Sequence, residues 1–172
     1  MRKVKMAAAL LAGLVGGCVP SPYDHKTPLR EADYVAYLGE GTATIWGEVS
    51  VKMRAGDINN GTESSLYLIP VTAYSTEWLE HYIMGGHAIN GPDPRSLRVA
   101  RVTVVGRNGR FQFRNLPAGD YYLSCTITRE LPSLRMGRIT FARPSTERIE
   151  AYARVTVGAG EHRQVMVTRP PD

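Results

Sequence analysis

Apolar and polar residues alternate with a period of two along most of the chain after Thr42, which predicts β-strands. The alternation is clearest in the first strand, where Ile45, Val49 and Val51 fall on one side. Seven segments are predicted as strands, at residues 45–52, 66–71, 98–105, 110–114, 120–128, 149–157 and 163–168. Short strands separated by regular turn signals indicate an all-β fold, here a seven-strand β-sandwich.

Two stretches are predicted as helices instead. Residues 75–84 are predicted as a short inserted helix capped by Ser75. Their apolar residues fall on one stripe: Trp78, Leu79, Tyr82 and Ile83. A second short helix is predicted over residues 27–38, with Thr27 as its cap. Residues 106–109 are predicted as a hairpin turn and residues 131–147 as a loop.

The N-terminus has the layout of a secretion signal. Three basic residues lie within the first five positions, and an apolar run of ten residues follows from Met6 to Val15. A helix needs about 20 residues to cross a bilayer core, whereas the core of a signal peptide has about 7–15. The run therefore predicts a signal peptide over residues 1–17.

Residues Val15-Gly16-Gly17-Cys18 resemble the lipobox of bacterial lipoproteins. The resemblance implies cleavage before Cys18 and acylation of that cysteine, and acyl chains hold a domain durably to a membrane. Inner-membrane lipoproteins tend to have Asp directly after the acylated cysteine. Val19 at this position implies that the protein is sorted to the outer membrane of the cell envelope. An ordinary secretion signal beside an incidental cysteine and an uncleaved membrane anchor are the alternatives.

Composition limits the partners and the redox chemistry. Three of the 21 basic residues lie in the signal, so 18 face 16 acidic ones and the formal net charge falls from +5 to +2. This gives no support to a nucleic-acid partner. With Cys18 acylated, Cys125 has no cysteine left to pair with in its own chain. It shares strand parity with Leu123 and Ile127, which predicts a core position.

Residues 109–123, GRFQFRNLPAGDYYL, resemble the signature of carboxypeptidase-regulatory-like domains, which are transthyretin-like (prealbumin-like) sandwiches. Every fixed position of the family pattern is met: Gly109, Phe111, Phe113, Leu116, Gly119, Tyr121 and Leu123. Residues 45–49 and 155–161 resemble the family's opening strand and its closing turn.

The resemblance implies a prealbumin-like sandwich over residues 42–168. It follows residues 18–41, which hold the acylated cysteine, a proline-containing tether and the short helix, and it precedes a tail at 169–172. In that family this domain is the non-catalytic part.

The sequence contains no nucleophile elbow, no HExxH and no glycine-rich phosphate loop after a strand. We therefore expect no enzyme, no catalytic residue and no cofactor. The most plausible metal ligands in the sequence are Glu77, His81 and His87. Glu77 and His81 are interpreted instead as a solvent-facing pair on the helix, so no metal is expected. His25 is interpreted as a solvated residue of the tether.

Strand parity places Trp46, Tyr122 and Tyr152 on outward faces, where aromatic rings would stack sugars. We expect the apolar stripe of the helix at 75–84 to cover an outer sheet face, and an open ligand platform is the alternative. Our main hypothesis is a membrane-anchored scaffold that binds another envelope protein through a sheet edge or the basic loop at 131–147. A glycan-binding module that uses the three aromatics is the alternative.

Overall fold

The computed structural model describes residues 22–53, 56–87, 90–131, 133–137, 139–142 and 144–169. The signal peptide and Cys18 lie outside these ranges. Among the described residues, no helix combines the length and the apolar character needed to cross a membrane.

The described ranges contain eleven strands: β1 (Ala43–Val49), β2 (Val51–Lys52), β3 (Ile58–Asn59), β4 (Ser65–Pro70), β5 (Arg101–Val104), β6 (Arg110–Leu116), β7 (Gly119–Leu131), β8 (Leu134–Met136), β9 (Ile139–Ala142), β10 (Ser145–Val157) and β11 (His162–Val167). A three-stranded sheet has the order β11-β1-β6, with β11 parallel to β1. A four-stranded antiparallel sheet has the order β10-β7-β4-β5. The pairs β2–β3 and β8–β9 form two small sheets.

Short helices connect the strands. A 3₁₀ helix spans Glu31–Tyr37, and helix α1 (Ala73–Trp78) continues as a π-helical turn, Leu79–Met84. Helix α2 spans Pro94–Val99, and a 3₁₀ turn spans Arg107–Gly109.

The two larger sheets enclose one hydrophobic core, which confirms the predicted β-sandwich with a short inserted helix. Phe111 and Phe113 of β6 meet Tyr121 and Leu123 of β7 in this core, and all four are buried. Cys125 lies in the same core, where burial raises the pKa of its thiol to about 11. The predicted core roles of these five residues are confirmed.

Local contacts hold the corner at residues 117–121, which lies within the signature. The Tyr121 hydroxyl donates to the Pro117 carbonyl oxygen at 2.8 Å and fixes the corner before β7. Burial raises the pKa of Tyr121 to about 12. A Cβ at Gly119 would lie 2.6 Å from the Tyr37 ring, so the close approach of Tyr37 requires glycine there.

The turn at 106–109 is only partly as predicted. Asn108 and Gly109 have the expected positive φ angles, 61° and 78°. The turn does not close a hairpin, because β5 pairs in one sheet and β6 in the other. The strand predicted from Arg98 begins instead at Arg101, because helix α2 extends to Val99. Asp93 caps the start of this helix by accepting a hydrogen bond from the Arg95 backbone N–H.

Both predicted helices begin at other residues. Thr72 and Ser75 form a reciprocal capping box, so α1 starts before Ser75. The first helix is a 3₁₀ helix with Arg30 at its start, because the Thr27 backbone N–H donates to Glu77 instead of opening a helix. The loop predicted at 131–147 contains β8 and β9 instead.

Candidate functional site

The outer face of the three-stranded sheet is centred on Trp46, whose surface is 42% exposed. Trp46 lies on β1, the middle strand, opposite Gln112 of β6 and Gln164 of β11 in the strand register. An exposed indole ring therefore has an amide side chain on each flank. Strand parity places further polar or flexible side chains on the same face: Glu48, Arg110, Arg114, His162 and Met166.

Contacts between neighbouring side chains orient the rim of this surface, which we call the Trp46 face. The Arg114 Nε donates to the Gln112 Oε1 at 2.9 Å, so the Gln112 amide is turned with its NH₂ group available to donate. Arg110 and Glu48 form an exposed ion pair with an N–O distance of 3.5 Å. The face combines a flat apolar centre with hydrogen-bonding groups on fixed strands.

The structure separates the three predicted ligand residues. Tyr122 and Tyr152 lie on β7 and β10 of the four-stranded sheet, on the opposite side of the sandwich from Trp46. The three aromatics therefore belong to two separate surfaces, because parity assigns a side chain to an outer face without saying which sheet carries it.

The predicted cover of the second face is confirmed. Tyr122 is only 5% exposed and packs with Leu79 and Ile83 of the π-helical turn. Its hydroxyl lies 3.1 Å from the Thr76 Oγ1. Tyr152 packs against the same cluster.

The cover leaves a cleft of about 220 Å³ between α1, α2 and the four-stranded sheet. Its walls include three aromatic rings, those of Tyr67, Tyr74 and Trp78. Sequence patterns identified Trp78 only as part of an apolar stripe and did not identify Tyr67. The outward parity of Tyr67 on β4 was the available signal.

Glu77 anchors the N-terminal segment to α1. Its carboxylate accepts hydrogen bonds from the Tyr23 hydroxyl at 2.7 Å and from the backbone N–H groups of Lys26 and Thr27 at 2.8 and 2.6 Å. Burial alone would raise the pKa of Glu77, but these donors outweigh it and lower the pKa to about 2. The interpretation of Glu77 as a solvent-facing residue is therefore wrong.

Two ring contacts strengthen this anchor. The Tyr23 ring stacks on His81 with 3.8 Å between centroids, and the His25 ring stacks on Tyr74 at 4.4 Å. The side chain of His25 is only 13% exposed, so the prediction of a solvated tether residue is wrong. Within the described ranges, no group of three or more His, Cys, Asp or Glu side chains is placed to hold a metal ion.

Glu77→Gln is expected to flatten the acid dependence of stability between pH 4.5 and about 2. A carboxyl with a lowered folded-state pKa stabilises the fold fully above its unfolded pKa, and this contribution is lost as pH falls through the folded pKa. Urea unfolding followed by fluorescence at several acid pH values measures the effect. Glu80→Gln, an exposed neighbour with the same charge change, is the control. Parallel pH curves for wild type and Glu77→Gln would contradict the anchor.

The fold and the exposed surface together define an all-β sandwich with a helix-covered sheet and an open one. Comparison with protein-family models finds no match, and comparison with curated proteins finds none either. Among solved structures, the chain is similar to a Pseudomonas aeruginosa crystal structure described as that of a "putative carbohydrate binding protein". The TM-score is 0.69 at 26% identity, and the match covers 83% of this chain and 99% of the other.

Proposed function

We propose that this chain is a non-catalytic carbohydrate-binding protein that is lipid-anchored in a bacterial cell envelope and binds glycan on its Trp46 face. The observation that carries the proposal is the exposed Trp46 ring at the centre of an open sheet, with Gln112 and Gln164 beside it. The structural similarity to a protein described as carbohydrate-binding supports the same ligand class.

The chemistry of the Trp46 face suits a polysaccharide. The C–H face of a sugar ring packs on a flat aromatic ring, while amide groups exchange hydrogen bonds with its hydroxyls. Two arginines, Arg110 and Arg114, lie at the rim with one glutamate, Glu48, and this positive excess favours a chain that carries carboxylates. A flat strand surface accepts an extended chain without requiring a pocket.

The lipid anchor is the second part of the proposal. It is supported by the signal-like N-terminus and the lipobox-like residues ending at Cys18, with Val19 favouring the outer membrane. We further assign residues 42–168 to the seven-strand prealbumin-like group, as a carboxypeptidase-regulatory-like domain. The core positions of Phe111, Phe113 and Tyr121 support that assignment.

Trp46→Ala is expected to weaken binding to envelope polysaccharide about tenfold or more while leaving the fold intact. A stacking contact of about 1.5 kcal/mol corresponds to roughly a tenfold change in affinity. Affinity electrophoresis in gels containing acidic or neutral polysaccharides measures the binding. Trp46→Tyr keeps an aromatic ring and should retain part of it, and Ile58→Ala, an exposed residue outside this face, is the control. Equal retardation of wild type and Trp46→Ala would refute the role of this face.

An interaction scaffold remains a second candidate because of one specific surface. The edge strand β5 exposes Val102 and Val104, which are 59% and 63% accessible. An apolar edge strand offers unpaired backbone groups to another protein. Crosslinking in intact cells followed by mass spectrometry tests this candidate. A specific protein lost on Val104→Lys supports it, whereas the absence of a reproducible partner counts against it.

A further inference from the structure

The cleft beside α1 lies on the opposite side of the sandwich from the Trp46 face. Its floor comes from the outer side of β4 and β7, and its walls come from α1, α2 and the segment before α2. The residues that matter for recognition are three aromatics and three serines: Tyr67, Tyr74, Trp78, Ser75, Ser96 and Ser124.

The aromatic walls are held in place by residues outside the cleft. The Trp78 ring stacks on Tyr82 at 4.9 Å, and the Tyr82 hydroxyl is bonded by Arg148. Tyr74 accepts a hydrogen bond from the Asp93 backbone N–H at 2.7 Å. Rings that are already fixed lose little conformational freedom when a ligand arrives, which favours binding.

The polar groups of the cleft are hydroxyls. Ser75 and Ser96 donate to the backbone carbonyl oxygens of Pro70 and Asp93, each at 2.7 Å. The Ser75 oxygen also accepts from the Thr72 backbone N–H in the capping box, whereas the Ser96 oxygen can accept from a ligand. Ser124 lies on the floor of the cleft and is 5% exposed. Serine hydroxyls that line a cleft can exchange hydrogen bonds with the hydroxyl groups of a sugar.

The size and the charge of the cleft restrict the ligand. None of the described residues that line it carries a charged side chain, so the lining offers no partner to an ionised group. Its volume of about 220 Å³ is below the ~300–1,000 Å³ of pockets for drug-sized molecules. The space therefore suits one small ring that has an apolar face and hydroxyl groups.

The geometry points to a second carbohydrate subsite in this cleft, one that takes a single neutral sugar ring with its apolar face against the aromatic walls. The inference rests on the proposed carbohydrate function. Because the cleft and the Trp46 face lie on opposite sides of the sandwich, one protein molecule would hold a sugar at each of the two places at the same time.

A single-tryptophan protein tests the subsite directly. The chain has two tryptophans, so Trp46→Phe leaves Trp78 as the only indole reporter. We expect the methyl glycosides of glucose, galactose, mannose or N-acetylglucosamine to include at least one that changes Trp78 fluorescence saturably. Glucuronic acid, which is charged, is expected to leave it unchanged.

Substitutions in that background separate the subsite from nonspecific quenching. Tyr67→Ala, at a position 43% exposed, is expected to weaken the response about tenfold, and Tyr67→Phe to keep most of it. Val102→Ala is the matched control, since Val102 pairs with Tyr67 across the strands but does not line the cleft. A response unchanged by Tyr67→Ala overturns the subsite.

The outcomes also separate this inference from the proposed function. If no neutral glycoside affects Trp78 while the wild-type protein binds polysaccharide through Trp46, the cleft subsite is wrong and the Trp46 face stands. If Trp78 responds but Trp46→Ala leaves polysaccharide binding intact, the subsite stands and the Trp46 face is wrong.

Discussion

Phe113→Ala is expected to lower the free energy of unfolding by about 3–5 kcal/mol, the usual cost of removing a buried phenylalanine side chain. Phe113 is 5% exposed, and its ring centroid lies 6.2 Å from that of Phe111 in the core between the sheets. The substitution removes apolar contacts and leaves a cavity that a sandwich of paired strands cannot close by collapse. Urea unfolding followed by circular dichroism measures the loss.

The adjacent residue on β6 provides a matched control. Gln112 points outward and is exposed, so Gln112→Ala should change stability by no more than about 0.5 kcal/mol. A loss of about 3 kcal/mol or more is a large share of the ~5–15 kcal/mol of an ordinary domain. If Phe113→Ala does not fold, Phe113→Leu should give a smaller, measurable loss. Equal stabilities for Phe113→Ala and Gln112→Ala would contradict the placement of Phe113 in the core.

Cys18→Ser is expected to move the protein almost entirely from the membrane fraction to the soluble fraction of cells. Each buried CH₂ of an acyl chain contributes about 0.8 kcal/mol to membrane affinity, so several chains dominate the partition. Metabolic labelling with a radioactive fatty acid and fractionation of the cells measure the two consequences together.

The second cysteine supplies the control for this experiment. Cys125 is buried in the core, so Cys125→Ala should leave labelling and membrane association unchanged. Label that persists on Cys18→Ser, or a Cys18→Ser protein that still sediments with membranes, would contradict the proposed anchor.

The alternating pattern was sufficient to predict the sandwich, because strand parity is a local property. Ile45 and Val49 turn inward simply because every second side chain does. The signature at 109–123 likewise predicted the core, since Phe113 and Tyr121 have the same inward parity on strands of facing sheets. The predicted strand positions each overlap a strand of the two larger sheets.

The site depended on information that is not local. Trp46 and Tyr122 share outward parity, yet they lie on different sheets, and only the strand order shows this. The cleft depends on α2 (Pro94–Val99), and the alternating pattern predicts a strand from residue 98 without indicating this helix. The three hydrogen bonds to Glu77 come from residues at least 50 positions away in the chain, which no local pattern reveals.

The most direct test of carbohydrate binding on the Trp46 face uses the indole N–H signals of the ¹⁵N-labelled protein. The two tryptophans give two such signals, and Trp46→Phe assigns them. During titration with an acidic envelope polysaccharide, we expect a saturable shift of the Trp46 signal. A titration that leaves the Trp46 signal unmoved, whether or not Trp78 responds, would contradict the account.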